Sequence, residues 1–121
     1  MRLFALRGAV TVDRNTADDI LGATDELMRE ILARNALRAE DLVSCIFTLT
    51  EDLDAEFPAV AARRLGFDQV PLMCAREVPV PGSLPRVIRV LMHYYADDGH
   101  RAQHVYLGEA RKLRMDLESA Q

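Results

Sequence analysis

The first half of the chain alternates between extended and helical patterns of hydrophobic residues. Residues 3–12 predict a strand, with opposite faces formed by Leu3, Ala5, Arg7, Ala9 and by Phe4, Leu6, Val10, Val12. Asn15 or Thr16 suits a helix N-cap, and apolar residues then recur at helical spacing to about Asn35. The apolar run 43–49 is typical of a buried strand, so a β-α-β unit is predicted.

The second half of the chain adds a short helix and further strands. An acidic loop over residues 50–56 precedes residues 58–65, which favour a helix that Gly66 ends. Residues 70–75 predict a third strand, and the prolines of segment 79–85 indicate a loop. A long fourth strand, a turn, a last short strand and a helical turn are predicted over residues 86–95, 97–99, 104–107 and 109–113. The predicted order is therefore β-α-β-α-β-β, with a C-terminal appendage.

Length and charge narrow the class of protein. A chain of 121 residues fits one domain, 1–121, and the balance of 50% hydrophobic to 28% charged residues is globular. The N-terminal apolar run is interrupted by Arg7, which favours neither a signal peptide nor a membrane span and predicts a cytoplasmic protein. The net charge is -4 and the basic residues are scattered, so no nucleic-acid partner is expected.

Cysteines and histidines lack the spacing of a metal or redox site. Cys45 and Cys74 each lie in an apolar run and are expected to be reduced thiols. His93, His100 and His104 form no HxH or HExxH set, so no metal is expected. Nucleophile-elbow, P-loop and dinucleotide motifs are also absent from the sequence. Electrostatic catalysis and plain ligand binding remain as functions, and no cofactor is expected.

Two arginines occupy unusual positions within predicted strands. Arg89 lies in the fourth strand, whose two faces are both apolar, so we expect cover on both sides and an anion near the guanidinium. Arg7 has small face neighbours and is followed by Gly8, which suggests room beside its side chain. A pocket for carboxylates would explain both arginines. Alternatively, each arginine pairs with an internal acid or reaches water at a sheet edge.

Several stretches resemble, in order and spacing, the Bacillus-type (AroH class) monofunctional chorismate mutases. The resemblance covers almost the whole chain. Its stretches are Arg7-Gly8-Ala9-Val10-Thr11-Val12, Thr50-Glu51-Asp52-Leu53, Phe57-Pro58-Ala59, Val70-Pro71-Leu72, Glu77, Arg89-Val90, His104-Val105-Tyr106-Leu107 and Leu113-Arg114-Met115-Asp116-Leu117.

The resemblance implies a site made mainly of charges. Arg7 and Arg89 would bind the carboxylates of chorismate, and Arg89 would also reach its ether oxygen. Glu77 would accept a hydrogen bond from the ring hydroxyl, with Cys74 beside it. Tyr106 would donate to a carboxylate. We therefore expect Arg89, Glu77 and Arg7 to be catalytic.

Further residues are implied at the walls and rim of the site. A neighbouring subunit would supply Phe57 and Ala59, with Arg63 at the rim. Leu72 and Met73 would line the wall. The C-terminal tail would close the pocket with Leu113 and Arg114. The sequence departs from some relatives at Val60, Met73 and Met115, which affects peripheral charge and the order of the tail.

The resemblance implies an α+β fold, a mixed sheet with helices packed on it, and the predicted order of elements agrees with that fold. It also implies a homotrimeric pseudo-α/β-barrel with active sites between subunits. The implied reaction rearranges chorismate to prephenate in aromatic amino acid biosynthesis. Residues 115–121 are short, polar and terminal, and are expected to form a flexible tail. Two rival functions are a trimeric module that binds an anionic metabolite without converting it, and an enzyme of the related deaminase-like fold.

Overall fold

The computed structural model describes residues 1–113 and contains one mixed β-sheet. Its five strands lie in the order β3-β2-β4-β1-β5. They are β1 (Arg2–Thr11), β2 (Leu42–Leu49), β3 (Leu72–Arg76), β4 (Val87–Ala96) and β5 (Val105–Leu107). β4 pairs antiparallel with β1 and β2, whereas β5 and β3 pair parallel with β1 and β2. The predicted α+β class and order of elements are confirmed.

The longer α-helices are α1 (Ala17–Asn35) and α2 (Ala59–Arg64), and residues 111–113 are also helical. Thr16, rather than Asn15, caps α1, because its hydroxyl accepts a hydrogen bond from the Asp19 backbone N–H at 3.2 Å. Asn15 instead ties the helix start to the acidic loop, since its amide donates to Asp54 at 2.8 Å. Short 3-10 helices span Ala39–Asp41 and Gly108–Ala110. Neither α-helix has both the length and the apolar character required to cross a bilayer.

The helices α1 and α2 cover only one face of the sheet. Even-numbered residues in the middle of β1 and β4, such as Leu6 and Met92, are buried in the core with Leu27 and Ile31 of α1. The opposite face, called here the open face, carries the odd-numbered residues of the same strands. Its exposed apolar side chains are Leu3, Leu91 and Tyr95, together with Met73 of β3. The expectation that β4 is covered on both sides is therefore not met within one chain.

Gly8 serves helix packing rather than a pocket. A Cβ at this position would lie 2.9 Å from Ile31 Cδ1 and 3.2 Å from Leu27 Cδ1. Gly8 thus faces α1 and lets the helix approach β1 closely. The expectation that Gly8 gives room beside Arg7 is wrong, because Arg7 points to the other face of the strand.

Strand boundaries shift slightly from the sequence expectations, for local reasons. β3 begins at Leu72 rather than residue 70, after Pro71, which has no N–H to donate to a ladder. β4 begins at Val87 because Arg86 has a φ of 50°, outside the extended region. The predicted flexible tail, 115–121, and Arg114 lie outside the described residues.

Candidate active site

Arg7 and Arg89 project from the open face on neighbouring strands. In the β1–β4 register Arg7 is opposite Leu91, and Arg89 is opposite Ala9. The two arginines are therefore diagonal neighbours on one side of the sheet, a separation that long side chains can bridge. Ala5 and Ala9 flank Arg7 on this face, as the alternation predicts, so little side-chain volume separates the two cations.

Arg89 forms an ion pair that is largely shielded from water. Its Nε donates to Glu77 Oε2 at 2.8 Å, and the two side chains are 29% and 15% exposed. The alternative in which this arginine pairs with an internal acid is thus realised. Within residues 1–113, however, the guanidinium's two NH₂ groups and Glu77 Oε1 make no hydrogen bond. The pair therefore keeps donors and an acceptor for a ligand.

Thr48 completes this cluster, and the sequence analysis missed it. The β2–β4 register places Thr48 opposite Arg89, and its hydroxyl donates to Glu77 Oε2 at 2.7 Å. The Glu77 backbone N–H donates to the Leu49 carbonyl at 3.0 Å, which fixes the residue just beyond β3. A threonine inside an apolar strand gives no local signal of such a role. Only the strand register brings it beside the charged pair.

Tyr106 lies on the same face, next to the arginines. It is the register partner of Ala9 and is 7% exposed. A small apolar cluster on this face joins Tyr106 to Ala9, Val87 and Ala110, and Leu113 packs against it. The structure therefore brings Tyr106 and Leu113 together on the open face, and their expected roles toward a carboxylate and in closing the pocket stay predictions.

Gly108 turns the chain so that it can reach this cluster. Its φ is 61°, and a Cβ there would lie 2.6 Å from Thr11 Oγ1. That hydroxyl accepts a hydrogen bond from the Glu109 N–H at 3.0 Å, which anchors the 3-10 helix to the end of β1. The C-terminal turn is therefore held over the sheet from β5 onwards.

A second group of expected site residues lies apart from the first. A cleft of about 340 Å³ between the acidic loop and β3 is lined by Leu49, Leu53, Asp54, Ala55, Glu56, Phe57, Cys74, Ala75 and Arg76. Phe57 is 63% exposed at this cleft. Cys74 pairs with Phe47, whose side chain is in the core, so Cys74 faces away from the open face. Within one chain Cys74 does not share the open face with the Arg89–Glu77 pair.

The remaining expected site residues are also not all on one surface of the chain. Ala59 is buried at the start of α2, and Arg63 is exposed in its last turn. Leu72 packs against the core, whereas Met73 is exposed on the open face. Leu72 and Met73 therefore do not form one wall within a single chain, because adjacent residues of a strand point to opposite faces.

A second unexpected feature anchors the start of β4. The Arg86 N–H donates to both carboxylate oxygens of Asp52, at 3.2 and 3.0 Å, and its Nε donates to the Val12 carbonyl at 2.9 Å. These bonds hold Arg86 at its positive φ. The acidic loop and the strand that carries Arg89 are thereby connected.

The two thiols differ in their chemistry. Cys45 is 1% exposed, and burial raises the pKa of its thiol to about 12. It is therefore a core residue with no nucleophilic character at neutral pH. Cys74 is half-buried, and both cysteines are free. Within residues 1–113 no three His, Cys, Asp or Glu side chains are grouped as metal ligands.

Sequence comparisons identify relatives over nearly the whole chain. The family model for chorismate mutase type I matches residues 3–117. The chain is 55% identical over 118 residues to chorismate mutase AroH of Thermus thermophilus, covering 96% of this chain and 97% of that protein. It is 40% identical over 119 residues to chorismate mutase AroH of Bacillus subtilis (strain 168), covering 97% and 94%.

A solved structure is also similar over most of the chain. A chorismate mutase from Clostridium thermocellum superposes with a TM-score of 0.86 at 48% identity, covering 90% of this chain and 98% of that one. Sequence and structure therefore agree over nearly the full length. The chain belongs to the chorismate mutase type I family.

Proposed function

We propose that this chain, a chorismate mutase by family, converts chorismate to prephenate at a site completed by a neighbouring subunit. The observation that carries the proposal is the pair of arginines on one face. Arg89 is only half engaged by Glu77, and Arg7 is one diagonal step away on the next strand. Within residues 1–113, neither the Arg7 guanidinium nor the two NH₂ groups of Arg89 make a hydrogen bond, so both cations can bind a substrate that carries two carboxylates.

The chemistry requires positioning and charge rather than a nucleophile. Chorismate rearranges in one unimolecular step, in which a C–O bond breaks, a C–C bond forms and no proton is transferred. Because C–O cleavage runs ahead, negative charge grows on the ether oxygen. An NH₂ group of Arg89 directed at that oxygen stabilises the transition state more than the ground state. Arg7 and Tyr106 would hold carboxylates and favour the compact reactive conformer.

Glu77 has a distinct part in this proposal. Its Oε2 is held by Arg89, so its Oε1 can accept the hydrogen of the substrate's ring hydroxyl. Leu113, which packs on the Tyr106 cluster, would cover the site from the C-terminal side. Cover of this kind removes water and strengthens each electrostatic contact.

A homotrimer would join the two separated groups of residues. In a closed ring, the Phe57 cleft of one protomer would meet the Arg7–Arg89 face of the next, with Cys74 of the cleft beside Glu77 and Arg63 at the rim. The exposed apolar residues of the open face, Leu91 and Tyr95 among them, support burial of this face between subunits.

The direct test of function follows the loss of chorismate absorbance with purified protein. We expect turnover without added metal or cofactor. A protein that only bound the dianion would leave the absorbance unchanged and would refute the proposed activity. Sedimentation equilibrium in the same buffer should give a trimer, and a fully active monomer would refute the shared site.

Subunit mixing gives a sharper test of the shared site. Arg89→Ala inactivates the open face, and Phe57→Asp places a repelling carboxylate in the cleft. Each homotrimer should be nearly inactive. Trimers assembled from an equal mixture should recover about a quarter of wild-type turnover, since that fraction of contacts in a random ring joins two intact halves. No recovery in mixed trimers would mean that both groups act within one chain.

A further inference from the structure

We propose that Thr48 is a positioning residue of the active site, which holds Glu77 so that one carboxylate oxygen stays available to the substrate. This inference deepens the proposed function and rests on it. Thr48 contacts Glu77 and is not itself required to touch chorismate. Its hydroxyl favours one of two geometries of the Glu77–Arg89 ion pair, the one in which a single carboxylate oxygen contacts the arginine.

The hydrogen bonds of Glu77 are unevenly distributed. Thr48 Oγ1 donates at 2.7 Å and Arg89 Nε donates at 2.8 Å, and both bonds end on Oε2. A carboxylate oxygen has two lone pairs in the plane of the group, so these donors saturate Oε2. Within residues 1–113, Oε1 makes no hydrogen bond.

The strand register makes this arrangement possible. Thr48 lies opposite Arg89 on β4 and beside Ala75 on β3, so it stands between the arginine and the end of the strand that leads to Glu77. The small Ala75 side chain leaves the carboxylate free to reach back across β2. The Glu77 N–H is fixed on the Leu49 carbonyl at 3.0 Å, so the carboxylate turns about a fixed backbone.

Without the threonine hydroxyl, a second geometry competes. An arginine and a carboxylate prefer a parallel bidentate pair, in which both oxygens are engaged by two guanidinium donors. That geometry would remove Oε1 from the substrate's hydroxyl and also one NH₂ group of Arg89 from the ether oxygen. Because Thr48 adds a donor directed at Oε2, it favours the arrangement in which both of these groups remain free.

The test is steady-state kinetics of Thr48→Val and Thr48→Ser. Valine keeps the shape and the β-branch but removes the hydroxyl, so kcat/KM should fall roughly ten- to hundredfold, as expected for one hydrogen bond to a charged group. The loss should appear mainly in kcat. Serine keeps the donor and should remain within a few fold of wild type.

A matched control separates positioning from fold stability. Thr24 is fully buried in α1, and its hydroxyl donates to the Ile20 carbonyl at 2.7 Å. Thr24→Val removes a hydrogen bond of the same length, far from the proposed site, and should leave kcat and KM unchanged. A similar loss in both valine variants would overturn the positioning role.

The decisive comparison uses a Glu77→Ala background. There Thr48 has nothing to position, so adding Thr48→Val should cost less than twofold. A full ten- to hundredfold loss in that background would show a structural effect instead and would overturn the proposal. Unchanged activity of Thr48→Val in the otherwise wild-type enzyme would also overturn it.

A second readout does not depend on turnover. In a crystal structure of Thr48→Val we expect Glu77 to turn so that both oxygens face Arg89, while in Thr48→Ser Oε2 stays shared. An unmoved Glu77 in Thr48→Val contradicts the inference. If Glu77 turns as expected but wild-type protein does not consume chorismate, the proposed function fails and the positioning role of Thr48 stands.

Discussion

Replacement of Arg89 tests whether its main value lies in the transition state. Arg89→Ala removes the donor directed at the ether oxygen, a loss of ~3 to 4 kcal/mol for oxyanion donors in general. It also leaves the Glu77 carboxylate, which is 15% exposed, uncompensated beside the negative charge that grows on the ether oxygen. Because this repulsion adds to the loss of the donor, we expect at least ~4 kcal/mol in total, which is about a thousandfold in kcat.

The structure also predicts how two related variants behave. Arg89→Lys keeps the charge, but a single ammonium cannot donate to Glu77 and to the ether oxygen with the geometry of the planar fork, so it should rescue only partly. Arg7→Ala should raise KM more than it lowers kcat, because a carboxylate carries the same charge before and during the reaction. The added contrast is Arg89→Ala in a Glu77→Ala background, which removes the unpaired carboxylate.

The assay is steady-state chorismate turnover over a wide substrate range, after circular dichroism and sedimentation show that each variant is folded and assembled. If the unpaired carboxylate contributes, Arg89→Ala should cost less in the Glu77→Ala background than alone. If Arg89→Ala raised only KM and left kcat intact, the assignment of Arg89 to the ether oxygen would be refuted. The residue would then serve ground-state binding alone.

Three other predictions concern stability, reactivity and the C-terminal turn. Gly8→Ala, whose new Cβ would press on α1, should lower the free energy of unfolding by ~1 to 3 kcal/mol in urea titrations, whereas Gly22→Ala, with open space around it, should not lower it. In a Cys74→Ser variant, Cys45 should resist iodoacetamide at mildly alkaline pH until the protein is unfolded, since its thiol pKa is raised to about 12, and modification of the native protein would contradict its burial. Gly108→Ala should raise KM by loosening the turn that places the C-terminal segment over the site, and unchanged kinetics would exclude that coupling.

Local pattern was sufficient to predict most of the elements. The apolar repeat of α1 and the alternation in β1 depend only on neighbours along the chain, and both agree with the structure. Alternation also placed Arg7 correctly on a face with Ala5 and Ala9. The apolar character of both faces of β4 indicated two covering layers, of which the helices of one chain provide only the first.

Contacts between strands could not be predicted in this way. Gly8 could make room for a ligand or for a packed helix, depending on which face of the sheet α1 covers. The residues next to Gly8 in the sequence do not specify that face. The roles of Thr48 and Asp52 depend on register across residues far apart in sequence. The family resemblance indicated Arg89 and Glu77, and these two residues form an ion pair in the structure. Cys74, which the resemblance also indicated, faces the other side of the sheet within a single chain. The single domain 1–121, the cytoplasmic location and the assembly remain predictions.

The shape of the sheet margins bears on how this protein avoids aggregation. Its two outer strands are short: β5 has three residues and β3 has five. β3 is preceded by Pro71 and followed by a segment with prolines at 79, 81 and 85, none of which can donate to an added strand. The edge strands therefore offer few backbone N–H and C=O groups to a strand of another chain, while the exposed apolar side chains lie on the open face of the sheet. Association through a face can close after a few copies, whereas strand addition at an edge has no natural end.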